Sequence, residues 1–254
     1  GYLLWTSPNA FVASANCAEF IGASIDLVDI DRLNNCLSAE DLEKKLKKEK
    51  KIDVVIVVHL AGHSADMKKI YALKKKYKFK IIEDSCHALG GKYRGYKVGS
   101  CKFSDISTFS FHPVKPITTG EGGMITTNNK RIYEKLLSFR THGITKNPKE
   151  FTNKKNALDN KGNINRWYYE MLNLGFNYRL TDIQATLGTS QLMKLNKFTK
   201  ERIKIAKRYD IAFKKNNFIS VLNTQKNTEH AYHLYTLLID FKGIGKSRNE
   251  VMNK

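Results

Sequence analysis

Several things are scarce in this chain. It has only four prolines and four cysteines in 254 residues, and 24 acidic residues against 44 basic ones. No apolar run approaches the roughly eighteen residues that a membrane-spanning helix needs. The densest, Asp53–Leu60 (DVVIVVHL), is strand-length, so no membrane partner is expected. The cysteines (Cys17, Cys36, Cys86, Cys101) form no CxxC pair. No signal peptide is visible, so they read as reduced thiols of a cytoplasmic protein, with no metal site. The shortage of acid leaves a formal charge of +20, which raises the question of nucleic acid. Only 9 of the 44 basic residues are arginine, however, and 35 are lysine. The blocks Lys44–Lys51 and Lys74–Lys78 follow helix patterns, and lysines so placed more often form a solvated face than a phosphate-reading one. A nucleic-acid partner is therefore not expected.

What remains is ordinary globular composition, 41% hydrophobic and 27% charged, which excludes a disordered tail, a collagen or a disulfide miniprotein. The length suits one large domain or one and a half. The sequence opens inside an apolar run (YLLW) and closes just after a helix start (SRNEVMNK). Neither reads as a natural domain boundary, and the expectation is a piece of a longer protein.

The first half alternates strand and helix. Strands are predicted over Tyr2–Thr6, Ala23–Val28, Asp53–Leu60, Phe79–Asp84, Ser104–Phe111 and Gly123–Thr127. Helical spacing covers Asn9–Phe20, Ser38–Lys48, Ala65–Lys78 and Lys130–Arg140. Ser38, with Asp41 three residues later, reads as a helix cap. The β-branched run in Asp53–Leu60 suits a strand buried on both faces. Strand, helix and strand in this compass make right-handed βαβ units and an α/β, doubly wound, mostly parallel sheet between helices. His142–Arg166 is long, polar and rich in Asn and Lys. Leu180–Lys215 reads as two helices. Phe218–Leu222 and Tyr232–Phe241 read as strands of a smaller C-terminal α+β domain that the chain begins. The expected division is 1–196 and 197–254, with no internal repeat and no low-complexity linker.

In doubly wound sheets, ligands sit beyond the C-terminal strand ends. Three such ends are unusual here: Glu83-Asp84-Ser85-Cys86-His87, Ser110-Phe111-His112-Pro113-Val114-Lys115-Pro116, and Thr118-Thr119-Gly120-Glu121-Gly122-Gly123. A carboxylate, an imidazole, a hydroxyl and a lysine collect at one sheet edge. An acid facing a lysine suits pyridoxal phosphate. The lysine can form a Schiff base with the aldehyde, and the acid can keep the pyridine nitrogen protonated. Pro113 and Pro116 stiffen the loop that presents Lys115. Each residue also admits a plainer role: Asp84 a strand-end cap, His87 a structural histidine, Lys115 one lysine among 35, Ser110 an ordinary strand-end serine, GEGG a turn.

The longer strings carry more. SFHPVKPITTGEGGMITTN (Ser110–Asn128), IIEDSCHALGGKYRGYKVGS (Ile81–Ser100), TSPNAFVASANC (Thr6–Cys17) and LGFNYRLTDIQATLGTSQL (Leu174–Leu192) resemble the lysine, aspartate, ring-stacking and dimer-crossing segments of the DegT/DnrJ/EryC1/StrS sugar aminotransferases. They occur in family order. THGITKNP (Thr141–Pro148) and RWYYEMLNLGFNYR (Arg166–Arg179) look most like a subgroup of that family serving pseudaminic acid synthesis.

The resemblance implies a fold-type-I, pyridoxal-phosphate-dependent homodimer with shared active sites. By motif position, Lys115 would be the Schiff-base lysine and proton shuttle. Asp84 would pair with the pyridine nitrogen, and His87 would lie near the ring hydroxyl. Ser110 would hold the phosphate, and Phe11 would stack on the ring. Asn177 would reach the phosphate in the neighbouring subunit. The implied reaction moves an amine from glutamate to a UDP-linked 4-keto-6-deoxy-N-acetylhexosamine, giving a 4-amino sugar for nonulosonic acid or surface-polysaccharide synthesis. The family's upstream phosphate-binding turn and most of its C-terminal domain fall outside this sequence. Three alternatives stay open: a cofactor-binding relative without transamination, an aminotransferase for another nucleotide sugar, and a sugar dehydratase. The dehydratases carry histidine where this chain has Lys115.

Overall fold

A computed structural model describes residues 1–49 and 51–253. Six strands form the main sheet: β1 (Leu3–Thr6), β2 (Ser24–Leu27), β3 (Val54–Val58), β4 (Lys80–Asp84), β5 (Ile106–Ser110) and β6 (Gly123–Thr126). Their order is β2-β1-β3-β4-β5-β6. The first five run parallel, and β6 turns back against β5. The chain steps from β1 to β2 on one side and to β3 on the other, so the winding reverses between β1 and β3. A ligand crevice is expected at that reversal.

Helices α1 (Ala13–Glu19), α2 (Ala39–Lys48) and α3 (Met67–Tyr77) connect these strands. Residues alternate between sheet faces. Trp5, Val55, Val57 and Ile81 pack with Leu42 of α2 and Ile70 of α3. Leu4 and Ile56 pack on the opposite face with Ala18 of α1 and Ala23. A core on both faces is why the run around β3 is continuous rather than alternating in hydrophobicity. Ser38 caps α2 by accepting the Asp41 amide at 3.1 Å. Lys69 pairs with Glu40 at 2.7 Å and Lys76 with Glu43 at 2.8 Å, so part of the lysine excess bridges α2 and α3 at the surface. Exposed pairs of this kind add little stability.

Three expectations need correction. The helical spacing over Asn9–Phe20 becomes helix only at Ala13–Glu19. Pro8 keeps only Ser7 ahead of it extended; the chain then bends through residues 8–10 before entering α1. After α4 (Lys130–Arg140) comes α5, Asp182–Phe213, one helix rather than two. Its 32 residues contain no proline, and Gly188 is tolerated within it. A capping box between Thr181 and Gln184 starts it. The strand expected over Tyr232–Phe241 is confined to Leu237–Ile239, paired antiparallel with Ile219–Val221. Tyr232 has φ of 48°, which no strand accommodates.

The division expected at residue 196 falls inside α5. His142–Arg166 carries only short elements: the strand Ile144–Thr145, paired antiparallel with Glu170–Met171, the 3₁₀ turn Pro148–Glu150 and the helix Lys154–Ala157. Among the described residues, no helix is long and apolar enough to cross a membrane.

Candidate active site

The strand ends of β1, β4 and β5 build the site. Asp84 is the last residue of β4, half-buried, one position beyond the buried Glu83. Strand alternation sends these neighbours to opposite faces. Glu83 turns to the core, where it accepts from Ser104 and lies 2.7 Å from Nε2 of the buried His59. Asp84 turns to the crevice. Its Oδ2 accepts the Ser14 hydroxyl at 2.6 Å, and its Oδ1 accepts the Cys86 amide at 3.2 Å. Ser14 lies in the first turn of α1, so the carboxylate is gripped from two elements. Burial, and then the Asp84 charge, push the Cys86 thiol up to about 12, leaving it protonated and unreactive at neutral pH.

Lys115 follows β5 in a half-buried turn, its amide donating to the His112 carbonyl at 2.9 Å. The loop is closed at its base. The Phe111 amide donates to Gly122, and the Thr119 amide donates to Phe111, at 2.9 and 3.0 Å. Phe111 and Ile117 pack with Phe109 and with Leu195 of α5. Gln184 of α5 donates to the Glu121 carbonyl at 3.0 Å. A turn pinned this way presents its one lysine from a fixed platform.

His87 lies near enough to that lysine to feel its charge. Burial first, and then the Lys115 charge, lower its pKa, with Asp84 opposing. The Ala61 amide donates to its Nδ1 at 3.3 Å, so the neutral ring carries its proton on Nε2. His233 lies against the His87 ring and is itself lowered to about 4 by burial, then by His87, Lys115 and Arg202. Both imidazoles are therefore neutral near pH 7. The segment that carries His233 is docked by backbone bonds: Ala231 donates to Gly62 and Leu234 to Ala61, at 3.0 and 3.1 Å.

Asp84, His87 and Lys115 are thus brought to one edge. Ser110 ends β5 beside them, its Oγ accepting the His112 amide at 3.3 Å. Phe11 stands 73% exposed at the entry to α1, with its carbonyl accepting the Ser14 amide at 3.0 Å. Asn177 is not drawn in. It is exposed and bridges to Thr141, and no hydrogen bond links it to the other five among the described residues. Ser14, Gly62 and His233 are the contributors that the sequence reading missed.

These residues fit pyridoxal phosphate. A carboxylate held by two donors, a lysine on a closed loop and a neutral imidazole on which both charges act gather at one sheet edge, with an exposed aromatic ring at the winding reversal. The buried Ser7 hydroxyl, at the end of β1, also has no hydrogen-bond partner and is free to meet a polar ligand.

The comparisons with known proteins converge on one class. The DegT/DnrJ/EryC1/StrS aminotransferase family matches residues 3–254. The chain is 38% identical over 238 residues to a UDP-4-amino-4,6-dideoxy-N-acetyl-beta-L-altrosamine transaminase of Campylobacter jejuni, covering 93% of this chain and 58% of the relative. It superposes on Helicobacter pylori PseC, an aminotransferase involved in the biosynthesis of pseudoaminic acid, with a TM-score of 0.83. That match has 32% identity and covers 96% of this chain and 60% of the other. A putative sugar aminotransferase of Streptococcus pneumoniae in its PLP-form superposes with a TM-score of 0.79 at 27% identity, over 94% of this chain and 61% of that one. The fold and the site define a member of the type-I pyridoxal-phosphate proteins. The chain belongs to the DegT/DnrJ/EryC1/StrS aminotransferase family, and it spans about three fifths of the length of the relatives it matches.

Proposed function

We propose that the protein is a pyridoxal-phosphate-dependent nucleotide-sugar aminotransferase. Its substrate would be a UDP-linked 4-keto-6-deoxy-N-acetylhexosamine and its donor glutamate. The observation that carries this reading is that Asp84, fixed by Ser14 and Cys86, and Lys115, on its closed loop, lie at one sheet edge, where the charges of both act on His87 and Cys86. The family membership and the named activity of the Campylobacter relative support the choice of sugar.

Bound pyridoxal phosphate supplies an electron sink for charge developing at the carbon that carries the amine. Lys115 would be the residue that holds the cofactor's aldehyde and, when its amine is free, the base that carries a proton to and from the substrate. Asp84 holds the proton on the ring nitrogen. His87, neutral and protonated on Nε2, offers a hydrogen bond to the ring hydroxyl. Ser110 offers its hydroxyl to the phosphate, and Phe11 fixes the tilt of the ring. Residues 1–196 carry these groups, and 197–254 lie over them through His233.

The remaining role, for Asn177, belongs to a homodimer in which it reaches the partner's phosphate. Its surroundings support that role. Trp167, Leu174, Phe176, Tyr178 and Ile183 are 71%, 84%, 54%, 73% and 85% exposed, an apolar surface of the kind that association covers.

The test is incubation with pyridoxal phosphate, borohydride reduction and peptide mapping, followed by an assay of amine transfer from glutamate to the UDP-keto-sugar. A reduced adduct on Lys115 together with amino-sugar formation is expected. An adduct elsewhere, or a folded protein that takes up no cofactor, overturns the reading. An adduct without transfer to any nucleotide sugar would favour the non-catalytic relative.

A further inference from the structure

Ser14 holds Asp84, and it also touches a second proposed ring contact, the Phe11 segment. Its side chain is buried, and its hydroxyl lies 2.6 Å from Asp84 Oδ2. An ionised carboxylate can only accept, so the serine is the donor. The other oxygen is held by the Cys86 amide, which leaves the carboxylate no free rotation. The Ser14 amide meanwhile donates to the Phe11 carbonyl. One residue therefore ties the group proposed to meet the ring nitrogen to the segment proposed to stack on the ring face.

We propose that Ser14 is a positioning residue for cofactor binding. Its hydroxyl fixes the plane of Asp84, and its backbone sets Phe11 relative to that plane, so that nitrogen and ring face are met together. This rests on the cofactor reading above. Each carboxylate oxygen takes one donor here and keeps a lone pair for the ring N–H.

The experiment measures affinity for pyridoxal phosphate, and for its analogue with carbon in place of the ring nitrogen, in the wild type, Ser14→Ala and Ser14→Thr. A hydrogen bond to a charged group predicts about tenfold weaker binding of pyridoxal phosphate by Ser14→Ala. Ser14→Thr, which keeps the hydroxyl, is expected to bind like the wild type. The carbon analogue has no N–H to orient and is expected to bind Ser14→Ala and the wild type alike. Unchanged pyridoxal phosphate affinity in Ser14→Ala overturns the proposal, and so does equal weakening of both ligands, which a merely structural serine would produce. Should the alanine variant fail to fold, Ser14→Cys, a weak donor of similar size, is expected to fall between wild type and tenfold. A wild type that binds neither ligand overturns the cofactor reading instead. In that case, a double-mutant cycle of Ser14→Ala and Asp84→Ala on urea unfolding reports the link itself. Strict additivity there overturns it.

Discussion

The imidazole of His233 lies against that of His87, with ring centroids 4.5 Å apart and planes inclined by 37°. This contact brings the C-terminal region to the proposed site. It also sets a pH limit on the fold, because neither ring can accept a proton without a charge in a crowded, partly dry space.

Stability should therefore decline in mild acid. Burial is the main cause lowering His63 to about 4, His230 to about 3 and His233 to about 4, and it lowers His87 too. The unfolded histidines protonate near 6.5, so unfolding takes up protons below that pH. Their contribution is complete above about pH 6.5 and is lost as the pH falls toward the folded values. Urea unfolding between pH 6.5 and 5, where most carboxylates stay ionised, is expected to show a falling free energy, with a shallower slope in His230→Gln. A flat profile would contradict the burial of these rings.

Gly62 should resist substitution. It has φ of +102°, and a Cβ there would sit 2.9 Å from the His87 carbonyl oxygen, 3.0 Å from the Tyr232 amide and 3.1 Å from the His233 amide. All three are backbone atoms and cannot swing away. Gly62→Ala is expected to cost about 1–3 kcal/mol and to speed hydrogen exchange at residues 230–234. An alanine variant as stable as wild type would mean that the two segments are not packed this closely.

Lys115→Ala should abolish both amine transfer and the borohydride-stable adduct. Turnover retained without added amine would remove Lys115 from the mechanism. Asp84→Asn should keep the adduct but slow proton transfer by roughly a hundredfold, measured in single-turnover absorbance with glutamate. An unchanged rate would mean that another group protonates the ring.

Glu170 should stabilise the polar loop. The amides of Thr152 and Asn153, with the hydroxyls of Thr152 and Tyr168, donate to its carboxylate and lower it to about 2. That contribution is complete above the usual carboxylate pKa and is lost as the pH falls toward about 2. Glu170→Gln is expected to make residues 152–170 several-fold more sensitive to protease at pH 7. Equal sensitivity would show that the loop is ordered by other contacts.

What could be read from the sequence followed from local signals. The cap at Ser38 depends on a residue three positions away, and the double-faced burial of β3 is written in DVVIVVHL itself. Asp84 and Lys115 could be singled out because one ends a recognisable strand and the other sits in the loop that follows the next. That Leu180–Lys215 is one helix rather than two is not legible locally, because packing rather than propensity decides whether a helix continues. Ser14 and His233 were missed for a different reason. Each meets the site through a partner distant in the chain, Asp84 or His87, and no spacing within a short window encodes such a meeting.

The helix α5 has a consequence for how this chain tolerates change. Gln184 near its start holds the Lys115 loop at Glu121, and Asp210 near its end accepts the Tyr235 hydroxyl at 2.6 Å. The two anchors are separated by about 40 Å of unbroken helix. One inserted or deleted residue between them would rotate the far anchor by about 100° and turn Asp210 away from Tyr235. The helix is thus a shaft keyed at both ends, its length fixed by phase rather than by reach.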